Sequence, residues 1–198
     1  IQNNIDFKNM NDNYYKTKES VEEYIKLAKD VNSGQLIRKL KDFLPTNSLL
    51  LEIGSGPGTD FQILKKDYRV VGSDFSAEFL NRLINNNIDN EFLNLDAITL
   101  KTEKKFDGIY SNKVLQHLTN KELKKSIHRQ VDILNPDGII CHSFWKGKGD
   151  EVFKGLLVNY QTDESLRILF EDYFELLLLD EYKEFEDGDS LILIGKKK

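Results

Sequence analysis

Apolar positions change period along this chain. Between residues 17 and 45 they recur every three to four residues: Val21, Tyr24, Ile25 and Ala28 in "KESVEEYIKLAKD", then Leu36, Ile37, Leu40 and Leu44 in "GQLIRKLKDFL". That spacing predicts two amphipathic helices, the first capped by Thr17 and the second stopped by Pro45. The Asn- and Asp-rich stretch up to Lys16 reads as a loop or loosely docked arm. After Pro45, short continuous apolar runs alternate with helical ones. "SLLLEIG", "YRVVGSD", "NEFLNLD", "FDGIYSN" and "IICHSFW" read as strands, with "GTDFQILKKD", "SAEFLNRLINN" and "NKELKKSIHRQVDIL" as helices between them. Ser76 caps the second of these helices, Thr119 and Glu122 form a capping box for the third, and "NPDG" turns the chain into the fifth strand. Strands that are apolar throughout and separated by helices imply a mostly parallel α/β sheet covered on both faces. The rhythm then breaks. After a loop around "KGKGDE" and a short helix near "TDESLRILFEDY", the runs "FELLLLDEYKEF" and "SLILIGK", joined by "EDGD", predict a hairpin and an antiparallel edge, for seven strands in all.

Composition narrows the class without changing this picture. At 198 residues the chain suits one domain, with residues 1–45 as arm and cap helices and 46–198 as the sheet core. A net charge of -5 argues against a polyanionic partner such as nucleic acid, and "KKK" at Lys196 to Lys198 reads as a solvated tail or as an anti-aggregation end to the final strand. Cys141 is the single cysteine, so no internal disulfide can form, and a cytoplasmic location is expected. No apolar run approaches the roughly 18 residues of a membrane span, and "IQNNIDFKNM" is no signal peptide. The chain begins without methionine, which leaves its true N-terminus open; monomer and homodimer are equally open.

The chemistry concentrates in "LLLEIGSGPGTD", residues 49 to 60. In a parallel sheet, ligands bind beyond the carboxyl ends of the strands, and glycines in the first turn let the backbone approach them while the next helix offers unpaired N–H groups. A dinucleotide fingerprint needs G-x-G-x-x-G, but Gly54 and Gly56 are followed by Thr59 at the third position, with Gly58 one residue early. Glu52 just ahead of the loop would repel a pyrophosphate and suits a ligand that carries an ammonium or sulfonium group.

These residues resemble the first motif of class I S-adenosylmethionine-dependent methyltransferases, and the resemblance runs from about residue 46 to 145. Asp74, 22 residues after Glu52, stands where that family's acidic residue binds the ribose, with Phe75 beside it. Asp96 and Ala97 in "NLDA" match the adenine-contacting segment. "FDGIYSNKVLQHL" resembles the fourth-strand motif, and "LNPDG" the turn before the fifth strand. The resemblance implies a Rossmann-like doubly wound fold with a reversed seventh strand. It also implies S-adenosylmethionine as cofactor and S-adenosylhomocysteine as product. Glu52, Gly54, Ser55, Gly56, Gly58, Asp74, Phe75, Asp96, Ala97 and Asn112 would then form the cofactor site.

A sulfonium activates its own methyl group, so the protein mainly positions and desolvates, and a base is needed only if the acceptor must lose a proton. His117 in "LQHL" is the candidate base, with a structural role at the helix entry as its alternative. Tyr14, Tyr15, His142, Trp145 and Tyr160 are candidates for an acceptor pocket, and each also reads as packing. His128 reads as surface, and Asp107 as fixing the turn into its strand. The fourth strand ends "YSNK", which lacks the D/N-P-P-Y of enzymes acting on exocyclic amines and the acidic ligands of a metal-assisted site. The expectation is therefore metal-independent methyl transfer to an O, N or C atom of a small molecule. A cofactor-binding regulator or scaffold of the same fold is the second reading; a nicotinamide oxidoreductase is disfavoured by Thr59.

Overall fold

The computed structural model describes residue 22 and residues 34–153 and 155–198. The arm with Tyr14 and Tyr15, and the first predicted helix apart from Glu22, lie outside the described residues. The second predicted helix is α1 (Gly34–Leu40), which buries Leu36, Ile37 and Leu40; Leu44 is buried by the turn that follows. Strand β1 (Leu49–Ile53) leads through the glycine loop to α2 (Thr59–Leu64), and β2 (Arg69–Asp74) leads to α3 (Ala77–Asn86). Ser76 caps α3 as expected, accepting from the Phe79 amide. Strand β3 (Glu91–Asn94) and β4 (Phe106–Asn112) follow, then a 3-10 turn at Leu115–His117 and α4 (Asn120–Ile133), which carries the expected Thr119–Glu122 capping box.

Strand β5 (Leu134–Trp145) starts five residues earlier than the apolar pattern predicts. "NPDG" is a bulge within it: Asp137 has φ 61, and the pairing with β4 slips between Phe106 and Gly108. The loop around "KGKGDE" also differs from expectation, since it leads into a separate hairpin of β6 (Asp150–Phe153) and β7 (Leu156–Asn159). After α5 (Asp163–Phe170) come β8 (Phe174–Tyr182) and β9 (Ser190–Lys197).

The main sheet has seven strands in the order β3-β2-β1-β4-β5-β9-β8, parallel except for β9. The reversed strand is thus interior, paired antiparallel to β5 and β8, and the edge strand β8 runs with the others. Of the two readings of "KKK", the strand end holds: Lys196 and Lys197 belong to β9. Lys197 Nζ donates to the carbonyls of Val131 (2.7 Å) and Leu134 (2.8 Å), where α4 ends and its carbonyls need donors.

Alternation along the central strands sends side chains to two cores. Leu50, Tyr110, Cys141 and Ile194 pack with Leu36, Leu40 and Phe61 of α1 and α2. Leu51, Ile109, Ile140 and Leu193 pack on the other face with Leu123, Ile127, Leu166 and Phe170 of α4 and α5. Among the described residues no helix is long and apolar enough to cross a membrane.

Candidate active site

The chain leaves β1 toward β2 on one side and later returns to β4 on the other. The carboxyl ends of β1 and β4 therefore border the switch point where a parallel sheet opens a crevice. The glycine loop lies there. Gly54, Gly56 and Gly58 have φ of 70, 48 and 85. Two of them are fixed by space as well as by torsion. A Cβ on Gly54 would come within 2.6 Å of a Val114 methyl, and one on Gly58 within 2.5 Å of Leu83 Cδ2. The loop is sewn to β2: Ser55 N donates to Ser73 O (2.8 Å), Ser73 N to Ser55 Oγ (3.1 Å), and Ser73 Oγ to Glu52 O (2.7 Å).

Under this loop Glu52 is almost wholly buried, and its Oε2 accepts from Ser55 Oγ at 2.6 Å. Burial pushes its carboxyl up to about 8, with Asp60 adding to the rise, Ser55 opposing it and Asp74 contributing less. Asp60, in the first turn of α2, accepts from Tyr110 Oη (2.6 Å) and Asn112 Nδ2 (3.1 Å). Glu52 and Tyr110 are register partners across β1 and β4, so these groups share one sheet face. Sequence reasoning did not select Asp60; its signal was an acid directly after the glycine loop.

Asp74 ends β2. Its Oδ2 accepts from Gly56 N (2.9 Å) and its Oδ1 from Ser76 N (2.8 Å), so the carboxylate bridges the glycine loop and the entry to α3. Burial raises its pKa against three backbone hydrogen bonds that lower it. Phe75 beside it is 49% exposed, an aromatic face open at the crevice. Asp96 and Ala97 follow β3 in a turn closed by Ile98 N donating to Asp96 Oδ1 (2.6 Å). Asn112 is fixed at both ends, donating to Asp60 and accepting from Ser143 Oγ (2.6 Å). Asp107 accepts from Leu49 N (2.8 Å) and Asn135 Nδ2 (2.8 Å), which ties β4 to β1 and β5.

The remaining candidates separate. His117 Nδ1 lies 2.6 Å from Leu157 O; a carbonyl can only accept, so Nδ1 carries the proton and Nε2 is the basic nitrogen. Burial holds its pKa below the usual value. His142, placed by the sequence among acceptor-pocket candidates, is instead buried in the sheet with both ring nitrogens engaged by Ser111 and Gln130. Tyr160 donates to Glu151 (2.6 Å) in the hairpin region. Its ring lies against Gly147, where a Cβ would meet it at 3.0 Å. His128 is on the surface beside Tyr173.

Trp145 covers a residue the sequence did not single out. Lys113, at φ 56 after β4, is buried with Nζ 3.7 Å from the Trp145 ring centroid, and donates to Phe144 O (2.8 Å) and Ser190 Oγ (2.7 Å). Burial draws its pKa down to about 7 against the pull of Glu184 and Asp189. A lysine lowered from 10.5 binds fewer protons folded than unfolded between about 7 and 10.5, so its contribution to stability rises with pH over that window. Melting curves of wild type and Lys113→Met should therefore move in favour of wild type from pH 7 to 10. A difference independent of pH would contradict the buried ammonium.

The donor set fits a cation. Glu52, Asp60 and Asp74 interact around the loop, and a buried carboxylate that resists ionisation gains most from a bound positive charge. Residues 50–138 match the family model described as a methyltransferase domain. No curated protein matches the chain. Among solved structures the chain is similar to the 1,6-didemethyltoxoflavin-N1-methyltransferase of Burkholderia thailandensis, bound to 1,6-didemethyltoxoflavin and S-adenosylhomocysteine. The identity is 18% and the TM-score 0.75, over 97% of this chain and 87% of that one. It is also similar to the N-methyltransferase NodS of Bradyrhizobium japonicum in complex with S-adenosylhomocysteine, at 16% identity and TM-score 0.71, covering 96% of this chain and 97% of NodS. A methyltransferase of Methanosarcina mazei gives 17% and 0.71 over 80% and 96%. These likenesses show the fold shared with S-adenosylmethionine-dependent methyltransferases, and residues 50–138 carry the methyltransferase-domain match.

Proposed function

We propose that the protein methylates a small molecule, with the cofactor's methionine portion over the Gly54–Gly58 loop, its ribose at Asp74 and its adenine between Phe75 and Asp96–Ala97. Glu52 carries this reading: a carboxyl buried under the loop and held protonated by that burial ionises most readily beside a ligand's positive charge, and a pyrophosphate offers it none. When bound, the cofactor supplies a methyl group already activated by its sulfonium. The chain's own residues then hold the acceptor in line and exclude water.

The acceptor would enter beyond β4 and β5, where the turn at Leu115–His117 is tied to the β6–β7 hairpin through Leu157. The named acceptor and reactions of the Burkholderia and Bradyrhizobium structures support a nitrogen on a small molecule as the atom methylated. In this reading His117 Nε2, the nitrogen not bonded to Leu157 O, takes the acceptor's proton. Because burial lowers its pKa, it stays unprotonated at neutral pH, and the rate should hold level until the pH falls below that lowered value.

The test uses methyl-labelled S-adenosylmethionine with a metabolite extract, and mass spectrometry of the product. A labelled small molecule is expected; label found only in protein or nucleic acid, or in nothing, overturns the reading. His117→Asn, whose amide can still donate to Leu157 O, should then lower kcat by about a hundredfold or more with S-adenosylhomocysteine affinity unchanged. An unchanged kcat would return His117 to a structural role.

A further inference from the structure

A line of buried polar side chains crosses the α4 side of the sheet, and the site described above uses none of it. Ser111 Oγ and His142 Nδ1 are 2.8 Å apart, and His142 Nε2 lies 2.8 Å from Gln130 Oε1. Gln130 Nε2 donates to Ser126 Oγ (3.2 Å), and Ser126 Oγ donates to Ala97 O (2.6 Å). Ser111, His142, Gln130 and Ser126 are each fully buried. Four interior polar side chains in series would be costly if any link were unmade, so the line is all or nothing.

Its direction is forced from the Ala97 end. A carbonyl only accepts, so the Ser126 hydroxyl proton points at Ala97 and its oxygen receives the Gln130 amide N–H. That turns Gln130 Oε1 toward His142, whose Nε2 must then carry the ring proton. Nδ1 is left as acceptor for the Ser111 hydroxyl. Burial, which pushes the His142 pKa down to about 3, keeps the ring neutral, and the Gln130 oxygen fixes which neutral tautomer it is.

The last link reaches a carboxylate. Ala97 C=O and Ile98 N–H belong to one peptide plane, and Ile98 N is the nearer of two donors to Asp96 Oδ1, at 2.6 Å against 3.2 Å for Thr99 N. Fixing the carbonyl on one side of the plane therefore aims the amide on the other, and with it the Asp96 side chain.

We propose that His142 is a positioning residue which, through Gln130, Ser126 and the Ala97–Ile98 peptide, holds the Asp96 carboxylate in the orientation that accepts the amino group of a 6-aminopurine and rejects a 6-oxo base. The inference rests on the proposed placement of adenine at Asp96–Ala97. It makes base discrimination a property of the interior.

The experiment measures affinities of S-adenosylhomocysteine and S-inosylhomocysteine, which differ in the amino or oxo group of the base, for wild type, Ser126→Ala, His142→Leu and the double variant. Wild type should prefer the amino base. Ser126→Ala should lose about tenfold of that preference, the scale of one misaligned hydrogen bond, and the double variant should lose no more than either single change. Equal weakening of both ligands, or additive losses, overturns the relay. A wild type without preference between the bases overturns instead the placement of adenine at Asp96. A wild type that binds neither ligand overturns the cofactor site itself. Should His142→Leu not fold, nitrogen-15 spectra of the imidazole decide: the relay requires the Nε2-protonated form in wild type and a shift of tautomer in Ser126→Ala. A tautomer unchanged by that substitution counts against it.

Discussion

Glu52→Gln should weaken S-adenosylhomocysteine binding by about tenfold or more at pH 8 while making the ligand-free protein harder to melt. The two effects have one cause. The carboxyl is pushed from 4.5 up to about 8, so between those values the native state holds a proton that the unfolded chain has released. Stability attributable to Glu52 is then fully present below about pH 4.5 and is lost as pH rises through 8. At pH 6 the wild-type side chain is a neutral acid and glutamine nearly reproduces it, including an acceptor for Ser55 Oγ. At pH 9 the wild type holds a buried anion and the variant does not. If about 2 kcal/mol of that burial cost is recovered, the variant should melt roughly 4–8 °C higher at pH 9, and close to wild type at pH 6. Binding shows the converse. A cationic ligand favours ionised Glu52, so wild-type affinity should climb between pH 6 and 8 with release of a proton, and the ratio to Glu52→Gln cancels the ligand's own titration. Parallel affinity profiles for the two proteins would remove Glu52 from the site.

Gly54→Ala should be the most damaging single methyl group added to the loop. At φ 70 an L-residue is strained, and the new Cβ would stand 2.6 and 2.8 Å from the two methyls of Val114. Strain and overpacking together amount to about 2–4 kcal/mol, or a fall of roughly 6–12 °C in Tm. Function should suffer beyond stability, because Val114 directly follows Lys113 and Asn112, and displacing it moves the end of β4 relative to Asp60. Val114→Ala combined with Gly54→Ala should recover the steric part and leave the torsional part, a coupling of about 1 kcal/mol or more in a double-mutant cycle. A Gly54→Ala protein that melts and binds like wild type would mean that the loop can open without consequence.

Much of the sheet was legible because its signal is local. "SLLLEIG" and "SLILIGK" can be buried only as strands, and the Thr119–Glu122 box announces α4 within four residues. The glycine spacing is equally local: Thr59 stands where a dinucleotide fingerprint needs its third glycine. What escaped depends on contacts between distant positions. Asp60 gains its meaning from Tyr110 and Asn112, some fifty residues on, and only once β1 and β4 are adjacent. Lys113 reads as a solvent-facing charge after a strand; its burial requires Trp145 and Ser190 to close over it. His142 lies on a strand covered on both sides, so alternation could not choose its face. The β6–β7 hairpin is only four residues per strand and is flanked by glycines, which hid it inside an expected loop.

The placement of β9 has a consequence for biosynthesis. Residues 190–197 form the strand that joins β5 to β8, so a nascent chain that has emerged only to Tyr182 exposes both of those edges with nothing between them. The sheet can close only once residues 190–197 have emerged, through pairings made after β5 and β8 are already out. Until then the bare β5 edge, with Ile140 and Phe144 along it, is the segment of the growing polypeptide on which a ribosome-associated chaperone would have most to hold.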